Sequence, residues 1–295
     1  MRRRWVAALL VAVLLVAGCS GKKKPQIPAE DLWSEANEAF DDEAWEYAVE
    51  RYKLLLEQYP FDPNAEEAEL RIARAHYLSG KYPEAIASLG DFERMHPTSP
   101  NLPFVEYHLG MSYLAQSSTS DRDPAPHTSA LAYFKNVIDR FPTSPWAERA
   151  RLRLRECQES LARHDAGIAA YYLKRGNLRA AEGRLRGILQ DYPGTSAAGD
   201  MLYTFAGEYA RRDEAEGATL ALATLVKYHG DEKVGREAKE KLGSSSAAAD
   251  GMVDGQDPLG LLIARIDRMA ADAARQNVPK AVSAYPEIGG SGQRY

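Results

Sequence analysis

The segment YKLLLEQYP, residues 52–60, ends an apolar stretch of helical periodicity with an aromatic residue and a proline. Similar endings return as FERMHP at 92–97, VIDRFP at 137–142 and GILQDYP at 187–193. Proline excludes the residue before it from the helical region, so each ending is a stop signal for a helix. The same stop signal four times in one chain indicates a structural repeat.

The repeat has a period of 37 residues, which is the interval between Pro60 and Pro97. The same interval separates three further pairs, which are Ala36 and Ala73, Ala48 and Ala85, and Phe40 and Tyr77. Two later units keep the second half of the pattern, at Ala130, Phe134, Val137 and Pro142 and at Ala181, Leu185, Ile188 and Pro193. A weaker fifth unit has Gly230 at the position of the proline. The intervals that end at Pro142 and Pro193, of 45 and 51 residues, imply insertions of 8 and 14 residues.

Each unit has room for two helices joined by a turn, which is a helix hairpin. In residues 80–97, a turn at Gly80 and a helix-starting proline at Pro83 precede an apolar stripe of helical spacing. The unit resembles the tetratricopeptide repeat, in which two antiparallel helices per unit stack into a right-handed superhelix. We therefore predict an all-α superhelical solenoid of about five such hairpins, followed by a flexible C-terminal extension.

The composition is that of an ordinary globular chain, with 45% apolar and 27% charged residues and a net charge of −5. Basic and acidic residues are interspersed along the helices, which predicts a solvated surface and no nucleic-acid partner. The sequence contains no P-loop, GxSxG or HExxH motif and no paired cysteines at metal-binding spacing. The six histidines are scattered, at His76, His96, His108, His127, His164 and His229. We predict no enzymatic activity, no metal and no cofactor.

The N-terminal stretch MRRRWVAALLVAVLLVAGCS combines an arginine-rich start, an apolar run and a small-residue end. It predicts a signal peptide over 1–18, because the apolar run is too short for a lasting membrane span. The motif VAGC resembles the lipobox of bacterial lipoproteins, in which the cysteine carries diacylglycerol and an N-acyl chain. The resemblance implies lipidation of Cys19, a tether over 19–28, and sorting to the outer membrane through Ser20. An ordinary signal peptide with an accidental cysteine is the alternative.

Composition and repeat spacing divide the rest of the chain into five parts. An N-terminal domain of three repeats is predicted over 29–143, and a long connecting helix with a C-terminal pair of repeats over 144–242. The composition then changes to that of a flexible linker over 243–256. An amphipathic helix is predicted over 257–277 and a disordered tail over 278–295.

Two of these helices have a predicted apolar side. That of the connecting helix consists of Trp146, Ala150, Leu152, Leu154, Cys157 and Leu161. Cys157 has no disulfide partner once Cys19 is lipidated, so we interpret it as a small core residue. The C-terminal helix has Asp257 as its cap and a stripe of Leu259, Leu262, Ile263, Ile266, Met269, Ala270 and Ala273. This stripe requires a cover, which is either a partner surface or the repeat body itself.

Four longer stretches carry a more specific resemblance. They are YPFDPNAEEAELRIARAHYLSGKYPEAI at 59–86, HPTSPNLPFVEYHLGMSY at 96–113, SDRDP at 120–124 and YYLKRGNLRAAEGRLRGILQDYP at 171–193. Together they resemble the BamD family, the lipoprotein subunits of the β-barrel assembly machine of Gram-negative bacteria. The resemblance runs from the lipobox to about residue 230, and nothing is carried from the family to the residues after 244.

The resemblance implies a scaffold and receptor that is lipid-anchored in the inner leaflet of the outer membrane and faces the periplasm. Its partners would be unfolded outer-membrane proteins, a POTRA domain of BamA, and other Bam lipoproteins. Two rival functions remain, a periplasmic repeat lipoprotein that organises cell-wall enzymes and a cell-wall hydrolase or its activator. The first would lack SDRDP and the RG…R…DYP set, and the second would need a catalytic acid pair in a cleft.

Two binding sites are predicted. In tetratricopeptide repeats the first helices line a concave groove, which here implies Trp33, Asn37, Phe40, Leu70, Arg74, Tyr77, Tyr107, Met111 and Leu114. Such a groove suits a short extended peptide with aromatic side chains and a terminal carboxylate, and packing between helices is the alternative for each aromatic. The second site is Arg184, which matches the family's arginine that pairs with an acidic residue of the BamA domain nearest the barrel. A surface ion pair with Glu182 or Asp191 is the alternative there.

Overall fold

A computed structural model describes residues 26–116, 123–244 and 257–276, and all regular structure in these segments is α-helical. The helices are α1 (Ala29–Asp41), α2 (Trp45–Gln58), α3 (Ala65–Leu78), α4 (Tyr82–Met95), α5 (Leu102–Gln116), α6 (Ala125–Arg140), α7 (Pro145–Lys174), α8 (Leu178–Asp191), α9 (Ser196–Arg211), α10 (Ala215–His229), α11 (Lys233–Ser244) and α12 (Pro258–Gln276). The predicted all-α fold of helix hairpins is confirmed. None of the helices that the structure describes is both long enough and apolar enough to cross a membrane.

The chain forms two compact units, Met1–Ser112 and Tyr113–Tyr295. The division falls inside α5, whereas the sequence analysis divided the repeats between 143 and 144. Each unit has its own core. In the first unit the core lies between α1, α2 and α3 and includes Leu32, Tyr52 and Leu55. In the second unit it lies between α7, α8, α9, α10 and α12 and includes Leu185, Phe205, Leu225 and Leu262.

The recurring prolines end the second helix of each hairpin, as predicted. Helices α2, α4, α6 and α8 each end two residues before Pro60, Pro97, Pro142 and Pro193. The residue between helix and proline has nearly the same conformation each time, with φ of −135°, −122°, −130° and −139° at Tyr59, His96, Phe141 and Tyr192. This uniformity follows from the steric clash that proline imposes on its predecessor.

Among the described residues, the turn also repeats inside four hairpins, through one residue with a positive φ. These residues are Glu43, Gly80, Gly176 and Asp213, with φ between 59° and 75°. Gly80 lies 37 positions after Glu43, and Asp213 lies 37 positions after Gly176, so the turns keep the period of the helices. Glycine adopts this conformation without steric cost and other residues seldom do, so the repeat imposes the same turn on two acidic residues.

Helix α7 is a single helix of 30 residues that includes the predicted connecting helix and continues to Lys174. The Ser144 hydroxyl caps it by accepting a hydrogen bond from the Trp146 N–H, at 3.2 Å. Helix α7 packs against both α6 and α8, so it belongs to two hairpins. The prediction that Leu152 lies on its apolar side is wrong, because Leu152 is 52% exposed. Leu152 is two residues from the buried Ala150, about 200° around the helix.

Cys157 is fully buried in α7, and burial raises the pKa of its thiol to about 12. At pH 8 only about one thiol in 10,000 is then a thiolate, which is the form that reacts. In a chain with Cys19→Ser, we expect a thiol-specific disulfide reagent to modify Cys157 about 1,000-fold more slowly in the folded protein than in denaturant. Absorbance of the released reagent measures both rates, and equal rates would contradict the buried assignment.

The C-terminal helix α12 packs on α8 and α10, so the repeat body covers its apolar stripe. Leu262 and Ile266 are buried, but Met269 is 36% exposed and Ala270 is exposed, so the cover ends after three turns. The predicted cap is confirmed, since the Asp257 carboxylate accepts a hydrogen bond from the Gly260 N–H at 3.3 Å.

Candidate interaction surfaces

Two arginines of α3 lie over two aromatic rings of α1. The guanidinium carbon of Arg71 is 5.6 Å from the ring centre of Trp33 and 5.5 Å from that of Phe40. The guanidinium carbon of Arg74 is also 5.5 Å from the Phe40 ring centre. Arginine over an aromatic face is a favourable cation–π arrangement. We call these four residues the aromatic–arginine cluster.

The nine residues predicted for the groove differ in exposure. Phe40, Leu70 and Tyr107 are buried, at 7%, 6% and 8% exposed, and act in packing between helices. Arg74 is exposed, and the remaining five are half-buried, namely Trp33, Asn37, Tyr77, Met111 and Leu114. The predicted set therefore contains residues that pack between helices as well as residues that are accessible at the surface.

The structure brings only part of this set together. Trp33, Phe40 and Arg74 share the aromatic–arginine cluster, whereas Tyr77 contacts the rings of Tyr82 and His108, with centres 5.7 and 6.3 Å apart. Asn37 is engaged inside the first hairpin, where its side-chain oxygen accepts a hydrogen bond from the Tyr52 hydroxyl at 2.7 Å. Leu114 belongs to the second unit. Among the predicted groove residues of the first unit, the exposed cation is thus Arg74.

Arg71 was not predicted as a site residue. It forms an ion pair with Glu67 one turn earlier on α3, with 3.0 Å between Nε and Oε1. Burial lowers the pKa of Arg71, but the interactions with Glu67 and Tyr52 together outweigh this, so the pKa rises and the side chain stays cationic. Arg71 precedes Arg74 by three positions, and residues three apart share a helix face. That spacing is the sequence signal for the pair.

Arg184 lies on α8 with 46% of its side chain exposed. Its Nη1 is 3.1 Å from Oδ1 of Asp165, on the second half of α7. The suggested local partner Glu182 is instead buried and accepts a hydrogen bond from the Tyr209 hydroxyl. The predicted buried stripe of α8 is confirmed, because Leu185, Ile188 and Leu189 are at most 1% exposed. Arg184 is therefore an accessible cation beside a fully packed helix face.

The described segments contain no site with the chemistry of a metal centre. Within residues 26–116, 123–244 and 257–276, no three histidine, cysteine, aspartate or glutamate side chains come together in a way that could hold a metal ion. The lipobox around Cys19 lies outside these segments, as do most of SDRDP, the residues 245–256 of the predicted linker and the predicted tail.

Helix hairpins that recur with a period of 37 residues define a helical-repeat protein of the tetratricopeptide type. Its candidate contact residues are accessible arginines. The sequence profile of a family described as "Outer membrane lipoprotein" matches residues 25–223. Similar proteins are named "Outer membrane protein assembly factor BamD". The chain belongs to this BamD family of outer-membrane protein assembly factors.

Two relatives show the extent of the similarity. The protein from Vibrio cholerae serotype O1 is 33% identical over 201 residues, which cover 64% of this chain and 83% of the relative. The protein from Caulobacter vibrioides is 31% identical over 210 residues, which cover 69% of this chain and 68% of the relative. Among solved structures, the complex of the TPR2AB domain of yeast Sti1 covers 84% of this chain at 14% identity and a TM-score of 0.40, and this chain covers 95% of it. Helices α11 and α12 lie beyond the residues that the family profile matches.

Proposed function

We propose that this protein is a lipid-anchored scaffold subunit of the β-barrel assembly machine. In this role it binds a POTRA domain of BamA and receives unfolded outer-membrane proteins for folding and insertion. Membership of the BamD family is the observation that carries the proposal. Affinity purification from detergent-solubilised membranes, read by mass spectrometry, tests it. Recovery of cell-wall enzymes without BamA would favour the rival scaffold function instead.

The proposed anchor is the diacylglycerol and N-acyl modification of Cys19. The sequence VAGCS supports it, and buried acyl chains contribute about 0.8 kcal/mol per CH₂ group, which is ample for stable anchoring. The end of the proposed tether is held to the first unit, because the Tyr59 hydroxyl donates a hydrogen bond to the Ile27 carbonyl at 2.9 Å. The anchor would thus place the first hairpins close to the membrane surface, on the periplasmic side.

The aromatic–arginine cluster is the proposed contact for the C-terminal peptide of an unfolded outer-membrane protein. Arg74 is exposed and lies over Phe40, so it is available for a carboxylate. Trp33 is half-buried and offers apolar surface to an aromatic side chain. A guanidinium binds a carboxylate through paired, charge-assisted hydrogen bonds, which suits a terminal carboxylate. Phe40 supports the cluster from the core.

We expect the double variant Trp33→Ala with Arg74→Ala to weaken binding of such a peptide by more than tenfold, about 1.4 kcal/mol. The variant removes one apolar contact and the accessible cation but leaves the buried Phe40 in place. Fluorescence anisotropy with a labelled peptide and the full chain carrying Cys19→Ser measures the affinity.

Arg94→Ala is the matched control, because Arg94 is 73% exposed and pairs with Asp91 on the same helix. The same peptide with an amidated C-terminus should lose affinity for the parent chain and lose little more in the double variant. Unchanged affinity in a double variant that keeps its helical circular dichroism would exclude the cluster as the peptide site.

A further inference from the structure

Helix α12 occupies a groove between α8 and α10, outside the residues that define the family. Leu262 and Ile266 fill this groove and are 0% and 3% exposed. At the rim, Arg186 of α8 forms an ion pair with Asp267, at 2.5 Å, and Lys227 of α10 pairs with Asp257 at 2.8 Å. The groove therefore holds an amphipathic helix by an apolar centre and a charged rim.

The centre of the groove also holds one arginine. The side chain of Arg265 is 6% exposed and forms ion pairs with three glutamates, which are Glu182, Glu214 and Glu216. Its guanidinium carbon lies 4.6 Å from the ring centre of Tyr209, and the Tyr209 hydroxyl donates a hydrogen bond to Glu182 at 2.8 Å. Burial raises the pKa of Tyr209 well above its usual range, so this donor stays protonated.

The three glutamates belong to the repeat body and not to α12. Glu182 has only 5% of its side chain exposed, so without Arg265 its charge would have Tyr209 as its one hydrogen-bond partner among the described residues. A buried carboxylate without a cation is strongly unfavourable. Gly217 completes the site, because a Cβ atom there would lie 2.9 Å from the guanidinium carbon of Arg265. The groove is thus shaped and charged for a guanidinium.

We propose that the groove between α8 and α10 is a binding site for an amphipathic helix that carries an arginine within its apolar stripe. Helix α12 is its tethered occupant, which exchanges with a partner helix of the same chemistry. The partner therefore needs Leu or Ile one turn before the arginine and directly after it, at the positions of Leu262 and Ile266. This site goes beyond the proposed function, since it adds a third protein-binding surface to the aromatic–arginine cluster and Arg184.

Two observations favour exchange over permanent docking. The buried apolar residues of α12 lie in its first three turns, and beyond them Met269 and Ala270 are exposed while Arg179 of α8 donates a hydrogen bond to the Met269 carbonyl. Residues 245–257 join α12 to α11, and a short tether provides an effective concentration in the millimolar range. Modest intrinsic affinity is then enough to keep α12 bound until a partner helix competes. Arg184, the proposed BamA contact on α8, pairs with Asp165 of α7. A partner at Arg184 and a helix in the groove can therefore bind α8 at the same time.

The test uses the full chain with Cys19→Ser and a fluorescent peptide that copies residues 257–276. Leu262→Asp together with Arg265→Glu releases the chain's own helix. The carboxylate at position 262 would lie in the apolar centre, and the carboxylate at position 265 would face the three glutamates. The peptide should bind this double variant at least tenfold more tightly than the parent and raise its melting temperature. A second peptide that keeps only the apolar stripe, the arginine and the rim carboxylates of Asp257 and Asp267 should bind equally well.

Arg275→Glu is the matched control, since Arg275 lies in the exposed last turn of α12, away from the three glutamates. It should leave peptide binding as in the parent. Adding Gly217→Ala to the double variant should reduce peptide binding at least tenfold, because the new Cβ occupies the space of the guanidinium. If a helical double variant binds the peptide no better than the parent, the groove is not an exchangeable site. Helix-swapped dimers of the parent in sedimentation would identify a second copy as the occupant and also overturn the proposal.

Discussion

Replacing Cys19 by serine should abolish acyl labelling and remove the protein from the outer-membrane fraction. The thiol is the group that accepts diacylglycerol, and a serine hydroxyl at the same position is not a substrate for that transfer. Loss of the acyl chains removes about 0.8 kcal/mol for every buried CH₂ group, so no partial retention by lipid is expected. Metabolic labelling with a fatty acid, followed by membrane fractionation, measures both effects.

Cys157→Ser is the control for this experiment. Cys157 is buried inside α7, so its replacement should leave labelling and fractionation unchanged. Intact acylation in Cys19→Ser would show that the lipid is attached elsewhere. Loss of labelling with retention in the outer-membrane fraction would instead assign the localisation to protein partners.

Replacing Arg184 by alanine should weaken binding to BamA about 30-fold, which corresponds to about 2 kcal/mol. Arg184 is 46% exposed, so its present pair with Asp165 contributes about 0–1 kcal/mol to folding. An interface would bury the guanidinium against an acidic partner, and removing it would then leave that acid buried and unpaired. The melting temperature of the isolated chain should stay nearly unchanged. Surface plasmon resonance with the periplasmic domains of BamA measures the affinity.

Two control variants test whether the loss of BamA binding is due to Arg184 itself or to neighbouring charged residues. Asp165→Asn removes the intramolecular partner but keeps Arg184, so BamA binding should not fall. Arg163→Ala removes a 70% exposed arginine of the neighbouring helix α7 and should also have no effect. Equal affinities of the parent and Arg184→Ala would place the BamA contact elsewhere on the second unit.

The positions of helix ends were predictable because their signals are local. A proline acts on its immediate predecessor, so Pro60 and Pro193 mark the ends of α2 and α8 whatever the surroundings. Among the described hairpin turns, Gly80 and Gly176 carry a local glycine signal, and the sequence analysis used the one at Gly80. Glu43 and Asp213 adopt the same conformation because the packing of the two helices imposes it, and their side chains carry no local signal.

The candidate sites were less predictable, because partners come from distant parts of the chain. Arg184 pairs with Asp165 on another helix, since Glu182 is buried under α12. Leu152 is exposed because it lies about 200° around α7 from the buried Ala150, off the helical spacing of the stripe. The stripe of α12 was recognisable, but its cover was not, because the glutamates around Arg265 lie on α8 and at the start of α10.

Helix α7 has a consequence for how the second unit unfolds. In an array of separate repeats each hairpin contacts only its neighbours, so hairpins can open one at a time. Here one helix of 30 residues, about 45 Å long, contributes to the hairpin with α6 and to the hairpin with α8. Opening one hairpin alone would require α7 to break in its middle and to form a new helix end, which sacrifices backbone hydrogen bonds. We therefore expect residues 125–191 to melt cooperatively, so that a local disturbance at α6 also destabilises α8.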